Sequence, residues 1–257
     1  TIFAVDNPWK NKEIILHFGA VDWKTEVYIN DIKIGTHTGG YVPFSFNITP
    51  YLKSKSQKLV VKVWDPTNDG TQPRGKQVKN PESIWYTPVT GIWQTVWLEP
   101  VSKKHFSSLK TTPDIDRGTI NIKAEAEGAV SGDIVEITVF DGTTAITSAK
   151  AAAGESLDIG LNNPKLWSPD SPFLYDVKVK LISGGKVTDE VKSYFAMRKI
   201  SSKRDENGIV RIQLNNKDCF QFGPLDQGWW PDGLYTAPTD EALKYDIVRT
   251  KELGFNM

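Results

Sequence analysis

The chain has 257 residues, 39% of them apolar, which is length and hydrophobic content for roughly two domains, or three small ones, with ordinary cores. Its 31 basic and 31 acidic residues cancel, leaving no excess charge for a nucleic-acid backbone or an anionic membrane, and no run approaches the roughly 18 apolar residues of a membrane span. A single cysteine, Cys219, excludes an internal disulfide framework and a multi-cysteine metal site. It reads as a buried strand residue and leaves the compartment open, with a periplasmic or secreted location compatible.

The chain opens on Thr1-Ile2-Phe3-Ala4-Val5, strand-like and without an initiator Met or a signal-peptide pattern, so it is expected to be cut at this end. Residues 12–18 (KEIILHF) and 25–35 (TEVYINDIKIG) alternate β-branched or aromatic residues with polar ones. Within the second run Asn30-Asp31, both tolerant of positive φ, predicts a tight hairpin. Gly39-Gly40-Tyr41 and Pro43 interrupt the pattern before strands at 44–48 and 59–64 (LVVKVW). Residues 65–81 form a long polar stretch rich in Gly and Pro, of the kind that is functional or disordered in a compact domain. Strand character returns at 92–98 (IWQTVWL), and Pro100 closes the unit.

From 105 to 200 short strands recur with turn residues between them: 105–111, 119–127, 134–141, 145–151, 156–161, 174–182 and 187–198. That spacing predicts an immunoglobulin-like sandwich held by packing alone. Its turns are Asp116-Arg117-Gly118, Gly132-Asp133, Asp141-Gly142 and Gly184-Gly185. A polar linker, 201–207, then leads to a hairpin of 209–214 and 219–222 around Asn215-Asn216. The apolar run Cys219, Phe220, Phe222 breaks at Gly223-Pro224 and passes through an aromatic loop into a helix from about Thr239. Thr239 supplies the N-cap, Asp240 and Glu241 complement the helix dipole, Leu243 and Ile247 share a face, and Gly254 supplies the stop. With Phe255-Asn256-Met257 starting another strand, the unit reads strand, loop, helix, strand, the crossover of a parallel sheet or barrel.

No self-sufficient catalytic set emerges. His17, His37 and His105 stand singly on β segments and read as structural, so no metal site is predicted. Neither a nucleophile elbow nor a phosphate-cradling glycine motif is present, and no cofactor is predicted. The chemistry-bearing stretch is the loop 226–232 (DQGWWPD), which in a parallel barrel lies on the face where active sites are built. Trp229 and Trp230 offer rings to stack on a sugar, and Asp226 and Gln227 offer hydrogen bonds to its hydroxyls. Against this stands a packing role, in which the Trp pair wedges a domain interface and Asp226 caps a turn; residue types alone leave both open.

Longer blocks carry a resemblance. Residues 16–52 (LHFGAVDWKTEVYINDIKIGTHTGGYVPFSFNITPYL) with 90–101 (TGIWQTVWLEPV) resemble the jelly-roll "sugar-binding" domain of glycoside hydrolase family 2. Residues 163–177 (NPKLWSPDSPFLYDV) and 194–200 (YFAMRKI) are similar to its immunoglobulin-like second domain, and the tail resembles the opening of its catalytic barrel. The resemblance implies a mainly β chain: a jelly-roll sandwich over 1–101 lacking its first strands, an immunoglobulin-like sandwich over 102–200, and the first strand–helix unit of a truncated TIM (β/α)8 barrel over 201–257. It also implies retaining hydrolysis of β-linked glycosides by two glutamates about 5–5.5 Å apart.

In the family those glutamates come from later barrel strands, so no catalytic residue is carried onto this chain. Glu241 and Glu252 read as surface charges on the first barrel helix. What transfers is a supporting role: Asp226, Gln227, Trp229 and Trp230 lining a sugar subsite, with Asp69 reaching in from the long loop beside Asp65, Arg74 and Gln77. The competing role for that loop is ion pairing between domains. The implied partner is a glycoside or oligosaccharide, and a homo-oligomer is compatible for the full-length protein. Asn215-Asn216 stands where the family commonly has Asn-Gly. The alternative function is a non-catalytic carbohydrate-binding or protein-interaction sandwich, using loop 65–81 and exposed Trp as its face. As an incomplete barrel, the tail is expected to lean on the immunoglobulin-like domain or to move freely.

Overall fold

The computed structural model describes residues 1–5 and 9–257. They form two compact units, Thr1–Val101 with Leu225–Arg249, and Ser102–Pro224 with Thr250–Met257.

In the first unit the strands are β1 (Ile2–Ala4), β2 (Glu13–Phe18), β3 (Val21–Asp22), β4 (Lys24–Ile29), β5 (Ile32–Thr38), β6 (Phe44–Asn47), β7 (Ser56–Trp64), β8 (Gly91–Ile92) and β9 (Val96–Val101). They pair antiparallel as β1-β7-β4-β5, β6-β2-β9 and a short β3-β8 ladder. Period-two alternation decides which face is buried: Ile14, Leu16 and Phe18 of β2 and Val27 and Ile29 of β4 enter one core, where Phe18 stacks on Phe44 at 4.7 Å. The predicted hairpin forms, with Asn30 at φ 53° and Asp31 at φ 70°. Asn30 also reaches inward, its amide donating to Gln57 Oε1 and to the Tyr51 carbonyl, both at 2.8 Å.

One predicted strand is corrected. Residues 92–98 divide into β8 and β9 because each half has a different partner: Ile92 pairs with Val21 of β3, whereas Val96 pairs with Phe18 of β2. The bend between them is tied down by Gly19 N donating to Thr95 O at 2.9 Å and Trp93 Nε1 donating to Gly40 O at 2.7 Å. Pro100 does not close the strand. It lies inside β9, an edge strand, where the missing N–H is tolerated.

The second unit contains β10 (His105–Asp114), β11 (Thr119–Glu127), β12 (Ile134–Asp141), β13 (Thr144–Ala152), β14 (Ser156–Gly160), β15 (Tyr175–Ser183), β16 (Lys186–Phe195), β17 (Ile200–Arg204), β18 (Val210–Leu214) and β19 (Lys217–Asp218). Sheets β10-β11-β14 and β13-β12-β15-β16 close over Ile120, Ile122, Ile137, Val139, Val179 and Leu181. Burying each such side chain contributes about 1.5–3 kcal/mol, so the sandwich holds without a disulfide. Gly184 and Gly185, at φ 56° and 75°, make the β15–β16 turn.

Two further expectations change at the C-terminal side. The polar segment 201–207 is not a linker: Ile200–Arg204 is strand β17, paired residue for residue with β18. Its turn is organised by Asp205, whose carboxylate accepts the Asn207 and Ile209 amides at 2.9 Å each and the Arg211 guanidinium at 2.9 Å. After the Asn215-Asn216 turn (φ 52° and 65°) the returning strand stops at Asp218 instead of continuing over 219–222. Phe220 is 81% exposed and Cys219 is half-buried, so no core side chain extends the ladder.

Helix α1 (Asp240–Glu252) begins as predicted, with Ala242 N donating to Thr239 Oγ1 at 3.1 Å. It ends on Gly254 at φ 87°, where Gly254 N and Phe255 N donate to the Lys251 and Thr250 carbonyls. None of its residues is buried. The strand expected at 255–257 is reduced to one rung: Asn256 N donates to Phe222 O at 2.9 Å, and Asn256 Oδ1 accepts from Phe222 N at 2.8 Å. The segment after Asp218 is thus a helix and a single rung. The tail does not lean on the sandwich as a whole either, since residues 225–249 group with the first unit.

Candidate functional site

The first unit gathers aromatic side chains from three connections and from the segment after Leu225. Tyr41 follows β5, Trp93 sits in the bend between β8 and β9, and Tyr86 projects from the long connection after β7. Trp229 lies flat on Tyr86, with centroids 4.7 Å apart and planes 11° apart, and turns its edge to Tyr235 at 4.9 Å. Tyr235 packs on Trp93 at 4.8 Å and on Tyr41 at 5.8 Å. Gln227 joins the group by accepting the Tyr86 hydroxyl at 2.6 Å. Aromatic pairs in such offset and edge-on geometries contribute about 0.5–1.5 kcal/mol each beyond the area they bury, so segment 227–236 is held to the jelly roll without being part of its sheets.

Beneath the rings is a polar floor. The long connection folds on itself around Gln77, which is 2% exposed. Gln77 Nε2 donates to the Arg74 carbonyl at 2.9 Å, to the Tyr235 hydroxyl, and at 3.4 Å to Asp22 Oδ2, while its Oε1 accepts from Val89 N at 2.5 Å. The hydroxyls of Tyr41 and Tyr235 are also hydrogen-bonded to each other. Asp65 accepts Thr67 N at 2.8 Å and the Thr90 hydroxyl at 2.9 Å.

Asp22, 3% exposed, is pushed up from 3.8 to about 6 by burial first and by the neighbouring Asp65 charge second, while the Gln77 hydrogen bond pulls the other way. Burial, followed by the Tyr41 hydroxyl and the same two carboxylates, raises the Tyr235 hydroxyl well above the usual phenol range. The floor therefore carries a carboxyl that titrates in mildly acidic water beside a phenol that stays protonated.

Two family models match the chain, the first across the part of the site contributed by residues 22–93. Glycosyl hydrolases family 2, sugar binding domain, matches residues 1–99, and Glycosyl hydrolases family 2 matches residues 104–198. The chain belongs to glycosyl hydrolases family 2. Among its relatives are a beta-galactosidase of Thermoanaerobacter pseudethanolicus, 27% identical over 95% of this chain and 34% of its own, and a beta-glucuronidase of Formosa agariphila, 26% identical over 99% and 28%. Solved structures tell the same story: a beta-glycosidase from Bacteroides vulgatus superposes with a TM-score of 0.81 at 25% identity, covering 99% of this chain and 32% of its own. The Bacteroides uniformis beta-glucuronidase follows at 0.79 and 26%, covering 100% and 32%. The chain spans about a third or less of the length of these relatives.

Of the residues singled out from the sequence, the structure brings Gln227 and Trp229 onto the jelly-roll rings. Trp230 is half-buried and closes a short loop by exchanging backbone hydrogen bonds with Leu234. Asp226 is exposed and accepts Gly228 N at 2.7 Å, so it caps a turn. Asp69 is not with them: it is exposed and paired with Lys79. Gln77 and Asp65 bond within the first unit.

The histidines are occupied elsewhere. His17 stacks on Trp97 and meets Glu99 at 2.8 Å, His37 stacks on Phe44, and His105 contacts the Ser102 carbonyl. The sequence reading missed Asp22, Tyr41, Trp93 and Tyr235. Tyr41 and Trp93 lie in recognisable blocks but read as a turn and a strand residue. Tyr235, six positions after Trp229, carried no local signal.

Proposed function

We propose that this chain is the N-terminal part of a retaining glycoside hydrolase acting on β-linked glycosides, and that loop 226–230 lines one side of its sugar subsite. The domains on this reading are 1–101, a jelly-roll scaffold; 102–200, an immunoglobulin-like spacer; and from 201, the opening of the catalytic barrel. The two catalytic glutamates lie outside residues 1–257. That follows from the family mechanism, in which one carboxyl protonates the leaving oxygen and the other attacks the anomeric carbon, both from later barrel strands. The relatives' activities, beta-glucuronidase and beta-galactosidase, support a β-linked glycoside as the substrate class.

The observation that carries the reading is the way the loop is anchored. Trp229 is gripped between Tyr86 and Tyr235, which fixes the backbone at 226–228 and leaves the Asp226 carboxylate exposed beside the Gln227 amide. Those groups can bond sugar hydroxyls, and Trp230 can meet a ring face. Asp69, engaged by Lys79, steadies the long connection instead.

The test uses the protein carrying the rest of the barrel. Asp226→Ala and Trp230→Ala each lower kcat/KM on a chromogenic β-glycoside by about ten- to a hundred-fold, the equivalent of about 1.4–2.7 kcal/mol of lost transition-state binding. Unchanged kcat/KM in both variants would sink the subsite assignment.

A further inference from the structure

The outer face of sheet β1-β7-β4-β5 carries a second feature that the subsite does not use. Alternation along β4 and β7 turns Lys24, Glu26 and Tyr28, and Lys62 and Trp64, toward solvent, while Thr25, Val27 and Ile29 are buried. Register places Lys24 directly across from Trp64 and Glu26 across from Lys62; on the other side Thr38 and Thr36 of β5 flank Lys24 and Glu26. Trp64 is 57% exposed, and Trp23 meets it edge-on at 6.0 Å and 62°. Lys24, Glu26, Lys62, Val63 and Trp64 line a cavity of about 310 Å³.

The charges on this patch do not cancel locally, although the whole chain is neutral. Glu26 is already satisfied: Lys33 Nζ lies 2.5 Å from one oxygen and the Tyr28 hydroxyl 2.7 Å from the other, and these bonds hold the carboxyl below its usual range. Lys62 sits 4.7 Å over the Tyr28 ring. Lys24 has no ion-pair partner among the described residues. Two ammonium groups therefore stand beside an open indole face. Residues directly opposite in an antiparallel pair have Cβ atoms about 5 Å apart, so the Lys24 ammonium reaches the rim of anything stacked on Trp64.

We propose that this face binds a uronate-bearing glycan strand, with a pyranose ring stacked on Trp64 and its ring-borne carboxylate paired with Lys24 and Lys62. The occupant follows from charge and shape together. A neutral sugar would leave the Lys24 ammonium without a counter-charge and Lys62 with only a Glu26 carboxylate already bonded to Lys33, and an anion lacking a flat apolar face would leave the indole uncovered. Thr36 and Thr38 supply hydroxyls for neighbouring sugar oxygens. The site shares no lining residue with loop 226–230, so it stands or falls independently of the subsite.

Isothermal titration of the 257-residue chain with hexaglucuronate and with cellohexaose tests it. Saturable binding is expected for the uronate oligosaccharide, at least about ten-fold tighter than for the neutral one and weakened by salt as the Debye length shrinks. Trp64→Ala and the double variant Lys24→Gln/Lys62→Gln each weaken it by about ten-fold or more. Lys110→Gln, an exposed lysine on β10 of the second unit, leaves it unchanged. The lysine variants guard against a fold defect in Trp64→Ala, and near-ultraviolet circular dichroism checks both. Equal affinity for the two oligosaccharides, tighter binding of a sulfated neutral glycan, an affinity untouched by the Trp64 and lysine changes, or no binding at all would overturn the proposal.

Discussion

Replacing Asp22 by Asn removes a charge that the first unit holds out of water. In the folded chain the carboxyl titrates at about 6 instead of 3.8, so between those values the folded state binds more protons than the unfolded one. Stability therefore falls as pH rises through that window and stays low above it. At about 1.36 kcal/mol for each tenfold change in proton affinity, the burdened carboxylate costs about 3 kcal/mol at pH ~7.5 and only ~0.5 kcal/mol near pH 4.

Asn keeps the shape, can still accept from Gln77 Nε2, and ends the repulsion with Asp65. Asp22→Asn is thus expected to stabilise the first unit by about 2–3 kcal/mol at neutral pH, with the gain shrinking toward zero in acid. Urea unfolding followed by tryptophan fluorescence reads this directly. With an m-value of about 1–3 kcal/mol/M the midpoint rises by roughly 0.7–3 M at neutral pH. A gain independent of pH, or a loss of stability at pH ~7.5, would refute the reasoning.

In the second unit the sign reverses. Asp133 accepts Lys104 Nζ at 2.7 Å and Val130 N at 2.9 Å, and the Lys104 bond leads in holding its carboxyl at about 2. Its stabilisation is present above the ordinary value of 3.8 and is lost as pH falls through about 2, so wild type and Asp133→Asn should converge in stability in strong acid and diverge at neutral pH in denaturant titrations. Thr239→Ala removes the α1 cap and is expected to cost that helix about 1 kcal/mol, read as faster hydrogen exchange of the Ala242 amide; exchange at the wild-type rate would contradict the cap.

Strands that face one core were legible in the sequence because burial imposes alternation. β11 and β12 fall on the predicted residues, with Ile120, Ile122, Ile137 and Val139 all inward. Both Asn-containing hairpins were legible for a local reason, the tolerance of Asn and Asp for positive φ. β17 was not, since Ser201, Ser202, Lys203 and Arg204 show no apolar face and pair only because Asp205 turns the chain. The division of 92–98 was hidden because it depends on two different partner strands.

The site was legible only in part. Trp229 and Gln227 announce themselves by residue type, but what holds them is non-local: Tyr41 and Tyr235 are 194 positions apart. Asp22 falls between the strands predicted over 12–18 and 25–35, and its burial depends on contacts such as the one with Gln77, 55 positions away. Leu243 and Ile247 were predicted to share a face of α1, and that face is exposed, at 48% and 71%.

The most direct test of the central claim is the rate at which residues 1–257 alone turn over 4-nitrophenyl β-D-glucuronide and 4-nitrophenyl β-D-galactoside. The account predicts no release of nitrophenol above the buffer rate from the folded chain, and release once the rest of the barrel is supplied. Steady turnover by residues 1–257 alone would contradict the placement of the catalytic glutamates outside them.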